Sequence, residues 1–169
     1  MKAAYIHIPF CDTICSYCDF CKIFYNEELV DSYLIELKKE IKKTYKNETL
    51  KTIYIGGGTP SSLNIKQLKK LLEITNILKK EKEYEFTLEC NIENIDKEKL
   101  ELLYQYGVNR LSIGIQTFNN KYLKLLNRNH TKKEVLEKIN IAKQIGFKNI
   151  NIDLIYALPN ETLKELEND

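Results

Sequence analysis

Ala3-Ala-Tyr-Ile-His-Ile8-Pro9-Phe10-Cys11-Asp-Thr-Ile-Cys15-Ser-Tyr-Cys18 is a short β-branched run that meets a proline and opens into a loop with three cysteines. Such a run, bounded by Pro, reads as a strand. The next segment, Glu27 to Tyr45, has helical period, and Leu29, Tyr33, Leu37 and Ile41 are predicted to form its apolar stripe. This strand-then-helix step recurs down the chain. Thr52 to Ile55, Tyr84 to Cys90, Arg110 to Ile115 and Asn149 to Ile155 read as further strands. Ile65 to Lys79, Lys97 to Tyr106 and Lys132 to Ile145 read as the helices between them, with Val135, Leu136, Ile139 and Ala142 as the stripe of the last. Thr131 with Glu134 forms a capping box, and Gly107 and Gly146 stand where left-handed helix caps belong. Strands separated by helices make a parallel sheet, open or closed into a barrel. The fold class expected is therefore α/β with about five βα units, in a single domain over residues 1–169.

Composition narrows the function classes. The 169 residues are 43% hydrophobic and 30% charged, enough for a core and too apolar for a disordered tail. No apolar run approaches membrane-spanning length. Met1 to Phe10 holds one Lys and no long apolar stretch, so no signal peptide and a cytoplasmic location are expected. A net charge of +2 makes no electrostatic case for nucleic acid. The Lys pairs at 38–39, 42–43, 69–70 and 79–80 lie beside Glu on helices and read as solvated faces. Only two of the 26 basic residues are Arg, Arg110 and Arg128, which suggests positions where a planar fork is wanted.

Cys11, Cys15 and Cys18 sit within eight residues at a strand end and can converge on one point. Five cysteines and no sign of secretion argue against disulfides. Zinc, with Cys21 as a fourth ligand, and an iron–sulfur cluster both fit the spacing. Gly56-Gly57-Gly58-Thr59-Pro60-Ser61 follows the second strand without a Gly-Lys-Ser/Thr ending, so it is not a Walker loop. Its glycines permit a close backbone approach to a ligand, or merely a tight strand-to-helix turn. Glu89 ends the third strand, where a carboxylate points toward the site of a βα barrel, or is only a solvated loop acid. Cys90 alternates to the opposite face and reads as a small buried hydrophobe. A mutual ion pair is the plain structural reading for Arg128 and Asp153. Arg110 starts a strand, away from the site end.

Tyr5-Ile-His-Ile-Pro-Phe-Cys11 with Cys15-Ser-Tyr-Cys18-Asp-Phe resembles the opening of the radical SAM superfamily, and more closely the oxygen-independent coproporphyrinogen III oxidase family within it. Gly56 to Ser61, Gly107 to Asn119, Leu126 to His130 and Asn151 to Pro159 continue the resemblance from Tyr5 to about Leu166. It implies a partial TIM-type (β/α) barrel with about five of six βα units. It implies that Cys11, Cys15 and Cys18 hold three irons of a 4Fe–4S cluster and leave the fourth to S-adenosylmethionine (SAM). Reductive cleavage of the sulfonium then gives a 5′-deoxyadenosyl radical. Carried over by position, Tyr5, Gly57 and Glu89 contact the cluster-bound SAM. Tyr17, Gly58, Thr59, Gln116, Arg128 and Asp153 correspond to residues that hold a second SAM. His7 and His130 match family positions, and neither is expected to ligate heme.

Ile92 stands where the family usually has Pro, Ala157 where Gly is usual, and Asn160-Glu161 where Gly-Gln is usual. Ala157 matters if that position requires positive φ. The first strand begins almost at residue 1, and Cys18-Asp19-Phe20-Cys21 departs from the Cys-x-Cys of the oxidase branch. Both features favour the heme-chaperone branch, which implies heme binding and transfer. The partners implied are heme or a porphyrinogen, a heme acceptor protein and an electron donor for the cluster. The alternatives are an oxygen-independent coproporphyrinogen III oxidase and an inactive or zinc-binding remnant. The family core has six βα units and a C-terminal domain, so a truncated chain with exposed apolar flanks is expected.

Overall fold

The computed structural model describes residues 2–169; Met1, the first residue of the segment read for a signal peptide, lies outside them. In chain order the elements are β1 (Ala3–Ile8), β2 (Phe10–Cys11), β3 (Ile23–Phe24), α1 (Glu27–Thr44), β4 (Leu50–Gly57), α2 (Ile65–Thr75), β5 (Lys80–Asn91), α3 (Lys97–Gln105), β6 (Arg110–Gln116), α4 (Asn120–Leu125), α5 (Lys132–Ile145), β7 (Asn149–Leu154) and α6 (Leu163–Asn168). Single 3-10 turns follow β4 (Pro60–Ser62) and β5 (Ile92–Asn94). β1, β4, β5, β6 and β7 are the five expected strands. They pair in parallel in that order, forming the arc of a partial (β/α) barrel. Among the described residues no helix is long and apolar enough to cross a membrane.

The two faces of the sheet have opposite chemistry. Ile6, Ile8, Ile53, Ile55, Phe86, Leu88, Leu111 and Ile113 are buried with the inner stripes of α1, α2, α3 and α5 in one hydrophobic core. Alternation puts the intervening residues on the other face. There, register aligns Tyr5 with Tyr54 and Thr87, and Glu89 with Ser112 and Asn151. One face thus builds the core and the other is a polar inner wall.

The helix stripes fall differently from the periodicity reading. On α1 the buried positions are Val30, Leu34, Leu37 and Ile41, while Leu29 is exposed. On α5 Val135 and Ala142 are buried and Leu136 is exposed. In both cases two apolar residues are adjacent in sequence, and docking against the sheet decides which one turns inward. The caps are as expected. The Thr131 hydroxyl accepts from the Glu134 amide and the Glu134 carboxylate accepts from the Thr131 amide, at 3.3 and 2.7 Å. Gly107 and Gly146 take φ of 84° and 126°. The sequence reading missed the six-residue α4, which is too short to show a period, and the two-residue β2–β3 pair. At the β7 side Ile152, Leu154 and Leu163 are exposed.

Candidate functional site

The site lies at the C-terminal ends of the parallel strands, where the loops after β1, β4, β5, β6 and β7 converge on one cavity of about 730 Å³. Cys11, Cys15 and Cys18 all line it, with Tyr17 between the last two. Cys11 is buried, and its thiol lies 3.4 Å from the Thr59 hydroxyl. Burial raises the pKa of that thiol, and the neighbouring Cys18 and Cys15 add to the effect. Burial also raises the Tyr17 hydroxyl, helped by a hydrogen bond to Cys15. Cys21 is exposed and is not part of the cavity wall. Cys90 is buried in the core, as its alternation predicts, and burial pushes its thiol up to about 12.

The C-terminal part of the cysteine loop is tied down by two side chains. Lys22 donates to the carbonyl of Cys18. His7, on the inner wall of β1, reaches the Cys21 carbonyl with Nε2 at 3.0 Å. A carbonyl only accepts, so Nε2 carries the proton and Nδ1 accepts from the Tyr5 hydroxyl at 3.0 Å. This gives His7 a loop-holding role that its position in the sequence did not disclose. Tyr5 stacks on Tyr54 and lines the neighbouring groove beside α1, so it stands apart from the other carried-over residues.

The glycines of the second strand end serve the protein's own packing. A Cβ on Gly56 would meet the Glu89 carboxylate at 2.6 Å, one on Gly57 the His7 ring at 2.5 Å, and one on Gly58 the Pro9 carbonyl carbon at 2.7 Å. The amides of Gly57, Gly58 and Thr59 donate to Glu89, Ile8 and Phe10, at 2.9, 2.8 and 2.8 Å. These three N–H groups are therefore spent internally and do not cradle a ligand, although all three residues line the cavity. Glu89 lines the cavity with both carboxylate oxygens engaged, one by Gly57 and the other by the Tyr54 hydroxyl at 2.6 Å.

Gln116, Arg128 and Asp153 close the far side. Gln116 ends β6 at φ 75°, which turns the chain out of the sheet. The ion pair read for Arg128 and Asp153 is not formed. Asp153 accepts from Ser112 at 3.3 Å and Asn151 at 2.7 Å. Arg128 donates through Nη2 to Glu93 at 3.0 Å and to the Gly114 carbonyl at 2.7 Å. Glu93 also meets His130 Nδ1 at 3.0 Å. Burial works to raise the Glu93 carboxyl, but the His130 hydrogen bond and the Arg128 charge outweigh it and hold it at about 2. Sequence reading assigned Glu93 no role. The signal present in the sequence was a second carboxylate four residues after Glu89, beyond the strand end. Arg110, as expected, serves the opposite end of the sheet, bonding Thr87 at 3.2 Å with Glu85 at 3.8 Å.

Among the described residues no three Cys, His, Asp or Glu side chains are already gathered for a single metal ion. The donor set nonetheless suits a cluster: three thiols share one wall of a cavity with free space beside them, and the fourth cysteine of the loop faces away.

Comparison with known proteins places this arrangement. The family model described as "Radical SAM superfamily" matches residues 5–169. The heme chaperone HemW of Bacillus subtilis (strain 168) is 48% identical over 172 residues, covering 99% of this chain and 45% of its own length. The oxygen-independent coproporphyrinogen III oxidase of Escherichia coli (strain K12) is 34% identical, covering 94% of this chain and 36% of its own. The solved coproporphyrinogen III oxidase (HemN) from Escherichia coli, a radical SAM enzyme, superposes with a TM-score of 0.91 at 32% identity, over 99% of this chain and 40% of that one. The chain thus spans under half the length of the relatives it matches. That family implies a 4Fe–4S cluster and SAM as cofactors. A parallel βα arc with three cysteines after its first strand, matched by the family model over nearly its whole length, makes this chain a member of the radical SAM superfamily.

Proposed function

We propose that residues 1–169 form a radical SAM core domain acting in heme binding and transfer, as in the heme chaperones. The observation that carries the reading is the single cavity onto which Cys11, Cys15, Cys18, Glu89, Gln116 and Asp153 converge from four strand ends, joined by Arg128 from the α4–α5 loop. Cys11, Cys15 and Cys18 would hold the 4Fe–4S cluster, whose chemistry when SAM is bound is one-electron cleavage of the sulfonium. Glu89, already positioned by Tyr54 and Gly57, offers an acceptor for a SAM amino group. Thr59, Tyr17, Gln116, Arg128 and Asp153 supply polar contacts around it. Identity of 48% and 45% to two HemW proteins, against 34% to the coproporphyrinogen oxidase of E. coli, favours the chaperone branch. The partners are then heme, a heme-accepting protein and an electron donor, in the cytoplasm. The oxidase reading keeps support from the close superposition on the solved E. coli enzyme.

The test is anaerobic iron–sulfide reconstitution followed by EPR of the reduced protein with and without SAM. A cluster signal perturbed by SAM is expected, and its absence sinks the reading. Cys11→Ala, Cys15→Ala and Cys18→Ala should each abolish the signal, whereas Cys21→Ala and Cys90→Ala should keep it. Zinc without iron after anaerobic purification would favour a zinc-binding remnant instead. Saturable one-to-one heme uptake, compared with full-length B. subtilis HemW, tests the chaperone role. Turnover of coproporphyrinogen III under the same conditions would point to the oxidase.

A further inference from the structure

Arg128 and His130 are both almost completely buried, although one is a permanent cation and the other titratable. Glu93 is the acid that joins them, with Oε1 toward His130 and Oε2 toward Arg128, each at 3.0 Å. An ionised carboxylate only accepts, so His130 Nδ1 carries the proton. The three residues come from two segments of the chain. Glu93 sits on the 3-10 turn after β5, and Arg128 and His130 on the loop between α4 and α5. Backbone geometry delivers Arg128 to this point: Asn127 takes φ 56°, its amide bonds the Lys124 carbonyl at 3.2 Å, and the Arg128 amide bonds the Leu123 carbonyl at 2.8 Å. That is a Schellman ending to α4, with asparagine in the left-handed position.

Burying a cation costs free energy that one carboxylate and one carbonyl only partly offset, so such an arrangement needs a reason. Arg128 Nε is buried with no partner among the described residues, and Arg128 lines the cavity. We propose that Glu93, braced by His130, is a positioning residue that fixes the Arg128 guanidinium at the cavity wall for an anionic group of the bound ligand. The proposal rests on the reading of the cavity as a SAM site, where that group is the SAM carboxylate. Glu93 itself does not line the cavity and acts through Arg128.

The presence of only two arginines makes the test direct. Selective 15N-arginine labelling gives two guanidinium signals, and Arg128→Lys identifies the buried one. In the wild type the Arg128 Hε should exchange slowly, with resolved Nη signals. Glu93→Gln should speed that exchange at least about tenfold and merge the Nη signals, since an amide cannot accept from both neighbours. His130→Leu should loosen Arg128 in the same direction. His130→Asn keeps a donor near Nδ1 and should restore the wild-type signal, a rescue that generic packing loss would not show. Urea midpoints of the variants check that each remains folded. In cluster-loaded protein, Glu93→Gln should weaken SAM binding about tenfold by anaerobic equilibrium dialysis, with His130→Asn near wild type. An Arg128 still held fast in Glu93→Gln, or equal behaviour of His130→Leu and His130→Asn, overturns the proposal. If the wild type shows no SAM effect, the SAM reading fails, while the arginine signals still decide the positioning role.

Discussion

Ala157 shows how one residue carries a local backbone cost. It sits at φ 62°, a left-handed conformation that penalises a Cβ. Asn160, at φ 63°, tolerates the same region better because its short amide bonds locally. Ala157→Gly should therefore stabilise the protein by about 1 kcal/mol, read as a higher urea midpoint at unchanged slope. Glu93 has a pH signature. Its carboxyl is held at about 2 against an ordinary 4.5. Between those values the unfolded chain binds the proton and the folded chain does not, so stability rises with pH. The contribution, on the order of 3 kcal/mol, is complete above about pH 5 and is lost as pH falls toward 2. Urea unfolding at pH 6 and pH 3 should show this loss in the wild type and a clearly smaller one in Glu93→Gln.

Among elements, the β4 strand end is the most constrained. Gly58 faces the backbone of Pro9 and Phe10, which cannot yield, whereas Gly56 faces the flexible end of Glu89. Gly58→Ala should cost about 2 kcal/mol or more in unfolding free energy. Gly56→Ala should cost less but displace Glu89 from Tyr54 and Gly57, and so weaken SAM binding more than stability. A Gly56→Ala protein that binds SAM like the wild type would remove Glu89 from the site. The main βα pattern was legible in the sequence, because β-branched runs and helical periods alternate along it, while the short α4 and the β2–β3 pair were not. The apolar stripes of α1 and α5 were not, since Leu29 and Val30, or Val135 and Leu136, are equally apolar neighbours and only the docked sheet distinguishes them.

At the scale of the whole molecule, the sheet separates stability from function. One face joins the helices in the hydrophobic core, and the other presents polar rungs that lead up to the cavity. Because five strand ends contribute to that cavity, a ligand there binds only the folded arc. SAM at a hundredfold excess over its dissociation constant should raise the unfolding free energy of the cluster-loaded protein by about 2.7 kcal/mol. The gain should vanish in Cys15→Ala, whose cluster cannot form. Chemical denaturation under anaerobic conditions, with and without SAM, measures both.

The order of elements, the parallel sheet, the helix caps and the cysteine loop were determined by the sequence alone, because periodicity, capping residues and close cysteine spacing are local properties. The convergence of Cys11, Glu89, Gln116 and Asp153 on one cavity follows from the same pattern, since all sit at strand C-termini. Only the tertiary structure decided which groups pair. It gave Arg128 to Glu93 instead of Asp153, His7 to the cysteine loop, and the glycine-loop amides to the protein's own carbonyls and Glu89. Pairing of this kind joins residues some 14 to 50 positions apart, and it is set by sheet register and loop geometry, which no local pattern encodes.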